Sequence, residues 1–374
     1  MTTLRTHTLV VGGGPAGATA ARHLAAGGKE TILIERDFSY IKPCGGGIPS
    51  TAFQELELPE DTVRKEIHKL FIVSPKGAEV EISLSGGHIC ITERGAFDSR
   101  LRELAAEKGA SLMEAEFLRF EETGKVITSV IRDRATGEEK KVKSDYVVGS
   151  DGISFAVGSR MKAQRPAPLF TISSHLASPA FRGDACEFWF GSHHATRFYS
   201  WVFPSEGYCS VGTGSTDPRQ LRSLMGRFLQ RRLPSEPPQD PVRMRAFSMP
   251  VWDGRLFSQK NVLLTGDAAG MVMPVTYEGI YYAMKSGEFA AQAIGEENPS
   301  AYRKLWLARF RNRFLLMDKL KNHLFRSDEG IEKWVALHRR PEVQEAAMRL
   351  WLRKDSGRGG LLSYLKFFRH LLPF

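Results

Sequence analysis

No apolar run in the chain approaches the roughly 18–20 residues that a bilayer span requires. The N-terminus, MTTLRTHTLVVGGG, enters a strand pattern within a few residues, which leaves no room for a signal peptide. These two absences predict an intracellular, cytoplasmic protein. Cysteine is scarce: Cys44, Cys90, Cys186 and Cys209 stand far apart, with no C-x-x-C pair. That spacing argues against a zinc knuckle, an iron–sulfur cluster and a disulfide framework, so no metal is expected. Excess positive charge is missing from the body of the chain. The net charge of +10 arises in residues 300–374, with 17 Lys/Arg against 7 Asp/Glu, leaving 35 of each sign in residues 1–299. A neutral body argues against a nucleic-acid partner, which would need a basic channel.

What the chain does contain is ordinary for a globular protein, with 42% hydrophobic and 25% charged residues over 374 positions. That length buries a substantial core and predicts more than one domain. One short stretch is unusual. IKPCGGGIPS, residues 41–50, sets Cys44 between Pro43 and three consecutive glycines, Gly45 to Gly47. Consecutive glycines mark backbone that takes unusual angles or passes very close to something. By itself Cys44 is compatible with a nucleophile, a metal ligand, a redox thiol or a buried small residue.

The N-terminal segment HTLVVGGGPAGATAARHLAAGGKETILIERD combines a strand, a G-x-G-x-x-G loop at Gly12, Gly14 and Gly17, a helix and a second strand ending at Glu35. Gly12 permits the tight turn and Gly14 lets backbone N–H groups reach a pyrophosphate. Gly17 lets the helix, which opens around Ala16, pack closely on the strand. Glu35, 18 residues beyond Gly17 and followed by Arg36, is placed to accept ribose hydroxyls. Two later segments resemble the DG and GD motifs of flavoprotein hydroxylases: DYVVGSDGISFAVGSR with Asp151, and NVLLTGDAAG…YEGIYYAMKSG with Asp267 and the helix opening at Gly279 and Ile280. ERGAFDSRL matches their R-x-x-[LF]-x-x-x-L element. The resemblance implies bound FAD, with Asp267 on its ribityl or ribose hydroxyls and Arg94 near the pyrophosphate.

These motifs predict an α/β fold: an FAD-binding Rossmann-like domain of the aromatic-hydroxylase type, an inserted antiparallel-sheet substrate domain and a helical C-terminal region. The FAD-binding domain is expected from residues 1–66, 91–160 and 250–298, the substrate domain from 67–90 and 161–249, and the basic helical region from 299–374. KLFIVSP, AEVEISL, ACEFWFG, RFYSWVFPSEGYCSVGTG and VRMRAFSMP supply the strands of the second domain.

FYSWVFP places Tyr199, Trp201 and Phe203 at alternate positions, hence on one face of a strand, with Phe198, Ser200 and Val202 on the other. A hydrophobic core face and a cavity wall both suit that pattern. Tyr and Trp each bring a polar group that a core strand has no use for. Tyr199, Trp201, Phe203 and Pro204 match the Y-x-W-x-F-P motif of geranylgeranyl reductases. KPCGGGIP is similar to the K-P-C-G-G-A-I-P stretch of the chlorophyll and bacteriochlorophyll branch of that family. The resemblance covers roughly residues 8–295 and implies an FAD-dependent saturation of isoprenoid C=C bonds, with hydride leaving the reduced flavin and a proton arriving at the other carbon. It implies that Gly45 to Gly47 lie along the isoalloxazine, that Cys44 sits where flavin and substrate meet, and that Tyr199, Trp201, Phe203 and Pro204 line the substrate pocket. An aromatic face stabilises a nearby cation by roughly 0.5–2 kcal/mol, so Tyr199 and Trp201 suit a transition state with carbocation character. The resemblance implies an external reductant, either NAD(P)H binding without a second glycine-rich site or ferredoxin.

Two other functions share this framework: a flavin monooxygenase or halogenase, and a flavin-bound isoprenoid carrier without catalysis. RKLWLARFRNRFLLMDKLKNHLF (303–325) mixes basic with apolar and aromatic residues at helical spacing, and LLSYLKFFRHLLPF (361–374) is apolar with basic flanks. Such helices either lie on an anionic membrane surface or cap the pocket with a solvated basic face.

Overall fold

A computed structural model describes residues 2–235, 243–255 and 258–354; the stretch 361–374 lies outside them. The chain divides into two compact units, each assembled from three separate segments: Met1–Ile41, Gly95–Ala167 and Met249–Phe314, and Lys42–Arg94, Pro168–Ser248 and Leu315–Phe374.

The first unit is built on a seven-stranded sheet. Strand Thr3–Val11 runs parallel to Thr31–Glu35 on one side and to Glu139–Gly149 on the other, and Val262–Leu264 extends the sheet parallel to Glu139–Gly149. Leu9, Val10, Leu33, Ile34, Val147 and Val148 are wholly buried. Such unbroken apolar runs suit parallel strands covered on both faces. Helix Pro15–Ala26 packs against helix Ile280–Gly295 at very short range: a Cβ on Gly287 would stand 2.2 Å from the Ala16 carbonyl oxygen.

Helix Ala301–Leu324 contains most of the basic stretch noted above. Within its first part Tyr302, Trp306, Phe310 and Phe314 recur every fourth residue, and all four are buried. The rings of Trp306, Phe310 and Phe314 pack edge-on against Tyr281 and Tyr282, and Tyr302 donates to the Leu264 carbonyl at 2.9 Å. The aromatic side of this helix is thus spent inside the unit. Among the described residues no helix is long and apolar enough to cross a membrane.

The second unit carries another seven-stranded sheet, in the order Arg245–Pro250, Pro168–Leu176, Cys209–Ser215, Tyr199–Pro204, Cys186–Phe190, Lys69–Val73, Glu79–Ser83. The expected strands all appear in it. One face buries Ile172, Trp189, Val202 and Val211 against Met225 and Phe228 of helix Leu221–Arg232. A three-stranded sheet, Gly47–Pro49, Ile89–Thr92 and Val63–Ile67, lies alongside in sequence and carries the end of the glycine run.

Two histidines of this unit are buried. His194 bonds through Nδ1 to Ser200 Oγ at 2.8 Å, and burial pushes its pKa down to about 3. His338, 2.9 Å from the Trp334 carbonyl, is pushed down to about 4 by burial, against the raising effect of that bond. Both fold as neutral imidazoles, so the unfolded chain binds more protons below its own value of 6.5. The associated stability is complete above pH 6.5 and is lost as pH falls toward 4 and then 3. Between pH 7 and pH 5 each histidine is expected to account for about 2 kcal/mol of lost stability. Urea titrations at both pH values check this, and His338→Gln should remove one such share of the difference.

Candidate active site

The first unit walls a cradle at the carboxyl end of its parallel strands. Gly12 has φ +105°, and a Cβ there would stand 2.3 Å from the Ser150 carbonyl oxygen. A Cβ on Gly17 would come within 1.9 Å of the Gly12 carbonyl oxygen, so that glycine is what seats helix Pro15–Ala26 against its own loop. Gly14 differs. It precedes the helix in an extended conformation with no side-chain cap, and a Cβ on it would meet nothing within 4 Å. No atom of the described residues therefore demands glycine there, whereas a diphosphate approaching the helix N-terminus would. Ala16 is buried beside it.

Glu35 faces this loop. Its Oε2 accepts the Gly13 N–H at 2.7 Å, and its Oε1 accepts the N–H groups of Arg36 at 2.7 Å and Asp37 at 3.3 Å. Oε2, which accepts a single N–H, keeps a lone pair for a ribose hydroxyl. Arg36 takes part through its backbone, and the residue is exposed. Asp151 accepts from Ser154 Oγ at 3.1 Å and the Val157 N–H at 3.2 Å through Oδ2, while its buried Oδ1 has no donor among the described residues. Burial raises its pKa despite those bonds. Asp267 lies on the turn Gly266–Ala269, and a Cβ on Gly279 would be 3.8 Å from Asp267 Oδ1. That carboxylate thus stands over the start of helix Ile280–Gly295, whose N-cap, Gly279, supplies no side-chain cap; Ile280 is half-buried. A carboxylate at hydroxyl height, an open glycine at one helix N-terminus and a second helix N-terminus fit a dinucleotide.

Sequence reasoning passed over Arg102. Its guanidinium donates to the carbonyls of Gly13 at 3.3 Å and Phe38 at 3.1 Å, directly beneath the glycine loop. The signal was present: Arg94, Asp98 and Arg102 recur every fourth residue along helix Arg94–Glu107, and all three are buried.

In the second unit the cysteine loop and the aromatic strand are built as one piece. Gly45 and Gly47 are glycine because the Phe203 ring lies on them: a Cβ on Gly45 would be 2.5 Å from Phe203 Cδ2, and one on Gly47 would be 3.1 Å from Cε2. Gly46, at φ +76°, passes so close to Thr92 that a Cβ would stand 2.3 Å from its carbonyl oxygen. The Gly46 carbonyl accepts both the N–H and the hydroxyl of Thr92. The Trp201 indole N–H donates to Ser210 Oγ at 3.4 Å, and that hydroxyl donates to the Cys44 carbonyl at 3.3 Å. A hydrogen-bonded path therefore joins the motif tryptophan to the motif cysteine. Cys44 is half-buried, and its sulfur accepts from the Gly46 N–H at 3.2 Å and from Arg94 Nη1 at 3.5 Å.

Tyr199, Trp201 and Phe203 share the sheet face opposite helix Leu221–Arg232, together with Phe188, which meets Tyr199 and Phe203 edge-on. Ser200 and Val202 point the other way, as expected. Phe198 does not join them. It precedes the strand, which begins at Tyr199, and its ring stacks on Tyr199 at 4.6 Å. It occupies the room left by Gly214, as Trp201 occupies that left by Gly212: a Cβ would stand 2.5 Å from the first ring and 2.2 Å from the second. Pro204 closes the strand, buried and paired with Cys209.

Residues 5–296 match the FAD binding domain family. Geranylgeranyl diphosphate reductase of Rhodobacter capsulatus is 31% identical over 96% of this chain and 94% of its own length. The chain belongs to the geranylgeranyl reductase family. Another member, digeranylgeranylglycerophospholipid reductase of Methanosarcina acetivorans, is 30% identical over 77% of this chain and 74% of its own length. The fold of the geranylgeranyl reductases recurs in a geranylgeranyl bacteriochlorophyll reductase-like structure from Thermoplasma acidophilum. That structure has a TM-score of 0.84 and 24% identity, and the match covers 99% of this chain and 100% of the other.

Proposed function

We propose that this protein saturates C=C bonds of a geranylgeranyl chain with FAD as its cofactor and NAD(P)H or ferredoxin as the external reductant. The observation that carries the proposal is the joining of the Y-x-W-x-F-P strand to the cysteine loop, through Phe203 on Gly45 and through the path from Trp201 to the Cys44 carbonyl. FAD, when bound and reduced, supplies a hydride for one alkene carbon. Gly12, Gly14, Ala16 and Gly17 hold its diphosphate at the helix N-terminus. Glu35 and Asp267 accept its hydroxyl donors, with Arg36, Asp151, Gly279 and Ile280 completing that end.

Tyr199, Trp201, Phe203 and Pro204 wall the isoprenoid chain, exclude water and keep the alkene in register, which is worth several kcal/mol of the barrier. Cys44 is the group that passes the proton to the second alkene carbon. Two N–H donors aim at its sulfur from the loop side, leaving the S–H free to rotate away from them. The fixed carbonyl of Cys44 keeps that thiol at one end of the aromatic strand.

The test is anaerobic. The holoprotein is reduced with dithionite and mixed with geranylgeranyl diphosphate, and flavin absorbance and product mass are followed together. Reoxidation accompanied by two hydrogens gained per bond is the expected result. A flavin that stays reduced with this compound and with larger prenyl lipids, and reacts only when oxygen is admitted, would replace the reductase by an oxygenase.

A further inference from the structure

Arg102 presents a physical problem that the motifs do not solve. Its side chain is only 8% exposed, and no acidic group among the described residues lies within ion-pair distance of it. Its partners are the Gly13 carbonyl, the Phe38 carbonyl and the Phe38 ring, whose centroid is 5.2 Å from the guanidinium carbon. A buried cation held only by carbonyls and a ring is costly unless an anion belongs to the same site. We infer that Arg102 is a positioning residue for the cofactor's diphosphate, orienting the Gly13–Gly14 peptide and placing a buried positive charge beneath the glycine loop. This inference rests on the FAD reading above.

One peptide plane, between Gly13 and Gly14, carries the effect. Gly13 is held at both ends, its N–H by Glu35 Oε2 at 2.7 Å and its carbonyl by Arg102 Nη1 at 3.3 Å. In a trans peptide the carbonyl of one residue and the N–H of the next lie in one plane and point in opposite directions. Drawing the Gly13 carbonyl onto Arg102 therefore turns the Gly14 N–H away from the guanidinium, off the protein side of the loop. Gly14 is also the glycine of this loop with no protein atom crowding it. The bond to Phe38 fixes the guanidinium from the other side, so the peptide cannot flip without giving up a charge-assisted hydrogen bond. A diphosphate approaching Gly14 meets an N–H already aimed and a charge already in place.

The experiment compares FAD, ADP and adenosine binding to apoprotein, wild type against Arg102→Met and Arg102→Lys, by calorimetry and flavin fluorescence. Arg102→Met is expected to raise the dissociation constants of FAD and ADP by about 10–100-fold. Adenosine, which has no diphosphate, should change by less than about twofold. Arg102→Lys keeps the charge but cannot span two carbonyls, so its FAD affinity should fall between the other two. FAD and ADP bound by Arg102→Met within about twofold of wild type would overturn the inference. So would an adenosine affinity that falls in step with that of ADP, since that marks general damage to the unit. If Arg102→Met does not fold, the lysine variant decides alone: unchanged FAD and ADP binding overturns the peptide-plane role, and weakened binding with adenosine unaffected supports it. Wild-type apoprotein that binds no FAD would instead overturn the cofactor reading itself.

Discussion

Gly17→Ala is expected to yield a protein without yellow colour and with a lowered melting temperature. The added methyl would sit 1.9 Å from a backbone oxygen, that of Gly12, so neither partner can give way by rotating a side chain. Helix Pro15–Ala26 must move, at a cost of about 3 kcal/mol, which corresponds to roughly 4 °C in a chain of this length. Gly14→Ala is the matched control. Its methyl meets no atom of the described residues, and its backbone angles are ordinary for any residue. That variant should melt within about 2 °C of wild type while binding FAD at least about tenfold more weakly. Melting curves and the flavin absorbance of purified protein separate the two cases. A Gly14→Ala protein that keeps its flavin as tightly as wild type would mean that no phosphate approaches that residue.

Gly45→Ala should abolish most turnover with most of the flavin retained. Its methyl would press on the Phe203 ring at 2.5 Å and 2.8 Å, and the neighbouring Gly46 cannot yield because Thr92 holds its carbonyl twice. The displacement falls on Cys44 and Phe203, and a shift of about 1 Å at such a place costs on the order of a hundredfold in rate. Gly12, Gly14, Gly17, Glu35 and Asp267, proposed above to hold the diphosphate and the hydroxyl groups, belong to the other unit, hence the retained flavin. Adding Phe203→Leu to Gly45→Ala removes the ring edge and should return part of the lost rate, a positive coupling between two substitutions that are each harmful alone. A double variant no faster than Gly45→Ala would show that the ring is not the obstacle. Single-turnover reoxidation rates under argon provide the measurement.

The glycine loop and Glu35 were readable because their chemistry is local: strand, turn, helix and acid follow one another within one βαβ unit. The alternation of Tyr199, Trp201 and Phe203 was readable for the same reason, since a strand's period of two needs no knowledge of its neighbours. The purpose of the glycine run at 45–47 was not. It depends on a phenylalanine far along the chain, and periodicity cannot report which distant ring fills the space above a glycine. Phe198 was misassigned because the alternation was extended one residue beyond the strand's start. Arg102 escaped because a buried arginine bonded to backbone carbonyls leaves no motif, only a four-residue spacing shared with many solvated helix faces. The aromatic residues of helix Ala301–Leu324 were visible, but whether they face protein or lipid depends on Tyr281 and Tyr282, residues of a different helix.

The composition of each unit from three separated segments sets the order of events during synthesis. A ribosome displays the fingerprint glycines almost at once, yet Gly287 reaches its seat against Ala16 only after three quarters of the chain has been made. The nascent protein therefore carries the glycine fingerprint and Glu35 for most of its translation with no walls around them. Flavin capture becomes a late event, and a message truncated upstream of Ile280–Gly295 would encode a fragment recognisable by sequence and colourless in the tube.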